Sequence, residues 1–457
     1  MNKKKKKKEK KKKEVLSIKS GKGFSVMNPK AAGIDIGDAL HYVAVENDEG
    51  HEVRCYEAFT VDLKVIVQWL LSIGITTVAM ESTGVYWLPL YLLLEEAGIE
   101  VYLVNAKSVK NVTGRKKDDS DAVWIQKLHK CGLLQKSFQP EHEQRVLRNY
   151  VRQRKNLVTI GSDSVRRMQK ALELMNIKVH TVISDLIGKS GMRIISSILE
   201  GERNPEVLTE LCDPRIQATK EEIIKSLEGI WNDEYLFMLG QAYDEYFFYQ
   251  KQIKDCDKKI QEQFVKQVAI INEGDITELP QENPTKKKGK KNQMDFDVTG
   301  HLKELVGVDL CKIPGINEVS ALELVSEIGT DMSKWASSKH IAAWLNLAPN
   351  TKITGGKIIS SKMMKKKNRA GQTLKMSASS LSRNKGPLGD YYRRMRAKLG
   401  GKGAVLATAH KLARIIYIMI KNKKEYNPDM LNESQEQFKT NRIKQLEKQL
   451  AKLKNVA

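Results

Sequence analysis

The sequence predicts an α/β domain, then a long helical insertion, then a mostly helical C-terminal domain. Three observations carry this. Between residues 31 and 104, short β-branched apolar runs alternate with stretches of helical spacing. From Glu143 to Met175, and again from Leu236 to Phe264, apolar residues recur at heptad-like intervals. Beyond Leu302 the segments rich in Ser, Arg and Ala again read as helix.

In chain order, residues 1–14 hold ten Lys and two Glu, a run with nothing to bury, so residues 1–24 are expected to be a disordered basic tail. AAGIDIG and LHYVAVEN read as strands parted by Gly37 and Asp38, and HEVRCYEAFTV as a third in an antiparallel meander. LKVIVQWLLSIG carries helical spacing with Val65, Trp69 and Leu70 on one side. TTVAMES is a strand, VYWLPLYLLLEEAG a helix ended by Gly98, EVYLVN a strand, and the chain turns helical again from Ala122. The order β-β-β-α-β-α-β-α is that of an RNase H-like domain, whose first and fourth strands carry acids side by side at the centre of the sheet.

Acids fall on those elements here. Asp35 closes the first strand and Glu81 the fourth, while Asp118 and Asp121 sit three residues apart, on one face if helical. Carboxylates so close repel unless a cation lies between them, and the usual answer is a divalent metal. Arg115, Lys116 and Lys117 beside them suit a phosphodiester substrate. Taken singly, each acid has an ordinary explanation as a turn residue, a cap or a first-turn acid favoured by the helix dipole. The conjunction of four is what points to metal-assisted phosphoryl chemistry.

The bulk numbers agree. A formal charge of +23, from 78 Lys and Arg against 55 Asp and Glu in 457 residues, favours a polyanionic partner. A membrane surface is disfavoured as that partner, because charged residues interrupt the most apolar stretch, Ala404 to Ile420, and no export signal is read at the N-terminus. Five scattered cysteines without paired spacing fit a reducing cytoplasm and no zinc site.

The helical insertion has seams at Leu147, Val151, Val158, Val165, Met168, Leu172 and Met175, and at Leu239, Tyr243, Tyr246, Ile253 and Ile260. These suggest a coiled-coil hairpin or a dimerisation arm. Its basic residues Arg145, Arg148, Arg152, Arg154, Lys155, Arg166, Arg167 and Lys170 read as a solvated face or a phosphate track. In the C-terminal domain Ile313-Pro314-Gly315-Ile316 resembles a helix-hairpin-helix turn and equally an ordinary interhelical one. A glycine- and lysine-rich stretch follows, with Lys357, Lys362, Lys365, Lys366, Lys367 and Arg369 as candidate backbone contacts. The expected boundaries are 25–140 for the catalytic domain, 141–272 for the coiled-coil region, 273–301 for a polar Lys-rich linker, 302–426 for the C-terminal domain and 427–457 for a charged helical tail.

GIDIG, MESTGVYW and the K-x-D-x-x-D-A run from Lys116 to Ala122 resemble the DEDD transposases of bacterial insertion sequences. So do the stretch around Pro349 to Gly371, LGDYYRRMRAKLGGKGAVLATAHKLARIIYIMI and the terminal KKEY, which resemble the family's transposase-20-like domain. The resemblance implies a RuvC-like catalytic domain whose tetrad is Asp35, Glu81, Asp118 and Asp121, using Mg2+ or Mn2+. It implies DNA as donor and target, a guide or bridge RNA that selects sequence, and homodimers assembling to tetramers in a bacterial cytoplasm at the nucleoid. It also implies a nucleophilic hydroxyl that leaves a covalent protein–DNA ester. Where the family pattern P-x-x-x-x-S-G has Ser, this chain has Thr354, with Ser360 and Ser361 close by as alternatives. Either Thr354 serves, or a neighbouring serine does, or the enzyme is impaired. Two rivals stand beside this reading. A structure-selective nuclease would use the same acids with water, and a decayed nucleic-acid-binding relative would need none of them.

Overall fold

The computed structural model describes residues 25–105, 109, 120–271, 292–428, 443 and 447. The 1–24 tail, Arg115, Lys116, Lys117 and Asp118, most of the 273–301 linker and nearly all of the terminal tail lie outside the described residues. The chain forms two compact units, Met1–Gln139 and Pro140–Ala457.

The first unit is built on five strands, β1 (Ala31–Ile36), β2 (Leu40–Asn47), β3 (Gly50–Glu57), β4 (Thr77–Glu81) and β5 (Glu100–Val104). Their spatial order is β3-β2-β1-β4-β5, antiparallel through β1, β2 and β3 and parallel from β1 to β4 to β5. This mixed sheet is consistent with the RNase H-like fold. Helices α1 (Thr60–Ser72) and α2 (Trp87–Glu96) cover one face, packing Ile66, Leu70, Leu90 and Leu94 onto Ile34, Val43 and Met80. Val65, grouped with Trp69 and Leu70 on one side of α1, is 44% exposed while those two are buried, because the buried stripe runs through Leu63, Ile66, Val67 and Leu70. Helix α3 (Asp121–Lys130) covers the other face with Trp124, Ile125 and Leu128. Polar groups fix its position. Gln126 Nε2 donates to Ala31 O at 3.3 Å, Gln126 Oε1 lies 3.1 Å from His51 Nε2, and His129 Nε2 lies 2.9 Å from Thr77 Oγ1.

The second unit opens with two long helices, α4 (His142–Leu174) and α8 (Asp233–Ile271). Gln267 meets Glu143, Arg154 meets Asp257, and Arg167 meets Glu245, so the pair runs antiparallel within one chain. Three shorter helices, α5 (Lys189–Leu199), α6 (Pro205–Thr209) and α7 (Lys220–Leu227), lie between them in sequence. They close an apolar core over Met168, Leu172, Ile194, Ile198, Leu227 and Leu239. The seam of α4 is less apolar than its spacing suggests. Arg154, Gly161 and Ser164 occupy buried positions, while Val158 and Val165 are only half-buried.

Helices α9 (Val298–Val306), α10 (Glu318–Ile328), α11 (Ser338–Trp344), α12 (Arg369–Ser380) and α13 (Pro387–Asn422) complete the unit, with a hairpin of β6 (Asn350–Thr354) and β7 (Lys357–Lys362). Two arginines of α4 expected on a solvated face or a phosphate track are buried instead. Arg148 Nη2 donates to Glu327 O at 2.6 Å and Gln144 Nε2 to Ser326 O at 2.9 Å, satisfying carbonyls that the last turn of α10 leaves unpaired. Burial lowers the Arg148 guanidinium to about 10, against the pull of Glu327. Arg154 pairs with Asp257, whose carboxyl burial pushes up despite that partner. Helix α13 alone among the described helices is long and apolar enough to cross a membrane. Half of its apolar window is buried inside the unit, as in a core helix, and Gly400 interrupts its helical geometry.

Two outcomes follow for stability. Arg154→Met should cost about 3–5 kcal/mol by stranding Asp257, and Arg154→Met with Asp257→Leu should recover most of it, as read by chemical denaturation. Burial holds the His129 imidazole at about 4, below the ordinary 6.5. As pH falls, the unfolded chain takes up this proton first, so the stability is present above about pH 6.5 and lost towards pH 4. The loss is up to about 3 kcal/mol. His129→Gln should flatten that part of the stability–pH curve; an unchanged slope would contradict the assignment.

A candidate acidic catalytic centre

The strand pairing decides where the acids sit. In the parallel pair β1–β4, Gly33 pairs with Ala79 and Ile34 with Met80, so continuing that register sets Asp35 beside Glu81. Both lie on the face covered by α3. Their even-numbered neighbours Ile34 and Met80 point into the opposite core, and Ala79 packs among Trp124, Ile125 and Leu128. Asp35 and Glu81 are half-buried at the C-terminal ends of their strands.

Helix α3 brings the third acid. Ser120 caps it, its Oγ accepting from Val123 N at 3.3 Å, and Asp121 is its first residue. The helix dipole favours a negative charge there, which is also the ordinary reason for an acid at this position. The helix runs antiparallel to β1. Its second half is tied to Ala31, and its first turns press on Gly33, where an added Cβ would stand 2.4 Å from Ala122 O and 2.3 Å from Gln126 N. Two residues further along β1 is Asp35, so the start of α3 lies towards that end of the strand. Asp118, Arg115, Lys116 and Lys117 precede this helix outside the described residues. Among the described residues no group of three Asp, Glu, His or Cys side chains is arranged to hold a metal.

Around the acids lie groups that the sequence reading passed over. Tyr42 pairs across the sheet with Asp35 on one side and Cys55 on the other. The Cys55 thiol, then burial, and lastly the Asp35 charge hold its phenol above the ordinary 10, so it stays a neutral donor at neutral pH. Thr83 Oγ1 donates to Glu81 Oε1 at 3.3 Å. Tyr42 was legible from the alternation of β2; Thr83 carried no signal.

In the second unit, Thr354 ends β6 at the tip of the hairpin, opposite Lys357. Gly355 and Gly356 make the turn with φ of 53° and 75°, the left-handed pair that a two-residue hairpin loop requires. These strands are not expected from the charge of the stretch, although Gly-Gly between β-branched residues is the signal for a hairpin. Ser361 pairs with Thr351 at the other end, its Oγ 3.4 Å from Thr351 Oγ1, and Ser360 is half-buried opposite Lys352. Lys357, Lys362, Lys365, Lys366, Lys367 and Arg369 are exposed, and no acid lies between residues 350 and 369. Asn346 pins the lysine loop by donating to Met364 O at 3.1 Å. The Pro314-Gly315 turn is packed rather than open, since a Cβ on Gly315 would stand 2.8 Å from Ser377 O. Asn317 caps α10, and Glu318 puts a negative charge in its first turn, unfavourable for a phosphate there.

Gly33→Ala should push α3 off the sheet, because the obstructing atoms are backbone. The expected cost is about 1–3 kcal/mol, read by chemical denaturation. A variant that melts like the parent would show that close packing at Gly33 is not needed.

Two family models match the chain. A DEDD transposase model of the IS110 type matches residues 32–177, and a transposase model of the IS116/IS110/IS902 family matches residues 309–393. No curated protein matches the sequence. The first match spans Asp35, Glu81 and α3, the second spans the β6–β7 hairpin, and together they cover about half of the chain. The chain therefore belongs to the IS110 family of transposases, enzymes that recombine DNA to move an insertion sequence.

Proposed function

We propose that this transposase cuts and rejoins DNA at a centre made of Asp35, Glu81, Asp118 and Asp121, with Thr354 as the attacking hydroxyl. The observation that carries the proposal is the β1–β4 register, which sets Asp35 beside Glu81 on the face where α3 begins with Asp121. Four carboxylates are hard oxygen donors that suit Mg2+ or Mn2+. The donor chemistry fits, the described acids alone do not form a group of three, and Asp118 enters the proposal as the fourth donor. A bound divalent cation would supply positive charge to the phosphoryl oxygens as the reaction proceeds.

The chain's own groups do the rest. Tyr42, paired across the sheet with Asp35, stays protonated and adds no negative charge beside that carboxylate. Thr354 Oγ attacks phosphorus, the bond from phosphorus to the 3′ oxygen breaks, and the hydroxyl proton passes through solvent to that departing oxygen. The 5′-phosphate is left as an ester on threonine. Because one phosphoester replaces another, rejoining to a second strand needs no ATP. The methyl group of Thr354 crowds this attack relative to serine. Its place at the hairpin tip favours it, since Ser361 lies three residue pairs back, about 10 Å along the strand.

Choice of site by a guide RNA, and a homodimer that assembles to a tetramer, extend the same reading. Family membership supports them, together with a net charge of +23 and the acid-free cationic stretch around the hairpin.

The test is to give the full chain its own flanking noncoding DNA and a donor plasmid, and to map any protein–DNA ester by mass spectrometry. The ester should fall on Thr354, disappear in Thr354→Ala and persist in Thr354→Ser, Ser360→Ala and Ser361→Ala. Asp35→Asn and Glu81→Gln should each slow cutting by on the order of a hundredfold or more. Cuts that bear no ester and survive Thr354→Ala would make water the nucleophile, and the hydrolytic reading would replace this one.

A further inference from the structure

The loop that follows Glu81 is held rigidly, yet it presents apolar side chains to solvent. Ser82 N donates to Val104 O at 2.9 Å, Thr83 N to Glu81 O at 3.0 Å, and Leu88 N to Val85 O at 3.2 Å. Trp87 anchors the far end, edge-on to Tyr91 with ring centroids 5.4 Å apart and packed against the core of the sheet. Gly84 takes a φ of 55°, and a Cβ there would stand 3.2 Å from the ring of Tyr86, so the glycine lets the chain fold closely over that ring. Between these fixed points Val85 is 75% exposed and Tyr86 45% exposed.

The loop is tied to the acidic centre by the Thr83–Glu81 hydrogen bond, and it leaves the sheet at the strand end where Asp35 and Glu81 lie. We infer that Val85 and Tyr86 form a wedge that stacks against an unpaired DNA base flanking the scissile phosphate. Three features favour this occupant. The wedge sits within five residues of a carboxylate that the proposed chemistry places at the phosphate. Its aromatic ring is positioned in advance, so stacking costs little ordering. The family's substrate is DNA, whose bases present flat apolar faces once unstacked. The carboxylates repel the backbone unless a cation is bound, so a neutral wedge gives this end of the sheet a hold on the strand that does not depend on charge. The inference rests on the acidic centre proposed above.

The test uses the full chain, its flanking noncoding RNA, and DNA of the element's own joined ends with thymines replaced by 5-iododeoxyuridine. Asp35→Asn is introduced to stall cutting, and the complex is irradiated. The expected crosslink joins Tyr86 to a base within one or two nucleotides of the cut. In the otherwise wild-type chain, Tyr86→Ala should slow cutting roughly 5- to 100-fold, Tyr86→Phe should restore it, and Val85→Asn should also slow it. Both side chains are exposed, so melting temperatures should stay close to the parent. Cutting by Tyr86→Ala at the parent rate, with no crosslink in the peptide containing residues 82–87, overturns the wedge. A crosslink to the RNA alone overturns the assignment to DNA. If Glu81→Gln cuts as well as the parent, the acidic centre itself is wrong; if Glu81→Gln is dead while Tyr86→Ala is normal, only the wedge falls.

Discussion

Everything at the acidic centre depends on how closely α3 can approach β1. The contact is backbone on backbone at Gly33, with no side chain between, and Ala122 and Gln126 occupy the space a Cβ would need. That approach brings the first turn of α3 towards the strand end that carries Asp35. A larger residue would lift the helix, and Asp121 with it, away from that strand end. The polar ties of Gln126 and His129 then fix the helix along its axis, since each must hold its register to stay paired while buried. The sheet supplies the remaining precision through the parallel pairing of β1 and β4.

The second unit joins its long helices to the helices that follow partly through polar contacts. Buried charge serves there as a connector. Arg148 and Gln144 donate to the open carbonyls of Glu327 and Ser326 at the end of α10, and Arg152 clasps Glu327 with two bonds of 2.7 Å. Such pairs add little net stability over apolar packing, but they tolerate few alternative registers. The β6–β7 hairpin is the opposite case. It is exposed along nearly its whole length, with Ile353, Ile358 and Ile359 open to solvent, and a lone hairpin is marginal in water. Cations and apolar side chains together make it a surface suited to being covered.

The order of strands and helices in the first unit was legible because each element carries its own period and its own stop, such as Gly98 after α2. Asp35, Glu81 and Asp121 were legible as strand-end and helix-start acids. That Asp35 and Glu81 stand side by side was not, because it follows from the register of two parallel strands. The hairpin is hard to read despite its Gly-Gly turn, because few apolar residues among the lysines and hydroxyls mark its alternation. Arg148 and Arg154 were misread for a deeper reason. An arginine on a helix looks solvated until its partner is known, and here the partners lie 179 and 103 residues away. Val65 shows the smaller error of a wrong grouping on a helix whose apolar residues are nearly continuous.

The central claim is that acids from three distant segments meet around one divalent cation. Crystals of the full chain grown with Mn2+ and measured at the manganese absorption edge would test it most directly. The account predicts an anomalous peak at the C-terminal ends of β1 and β4, within about 2–2.5 Å of carboxylate oxygens from Asp35, Glu81 and the start of α3. That peak should vanish in Asp35→Asn. Manganese bound only elsewhere, or a peak there that ignores the Asp35 substitution, would contradict the claim.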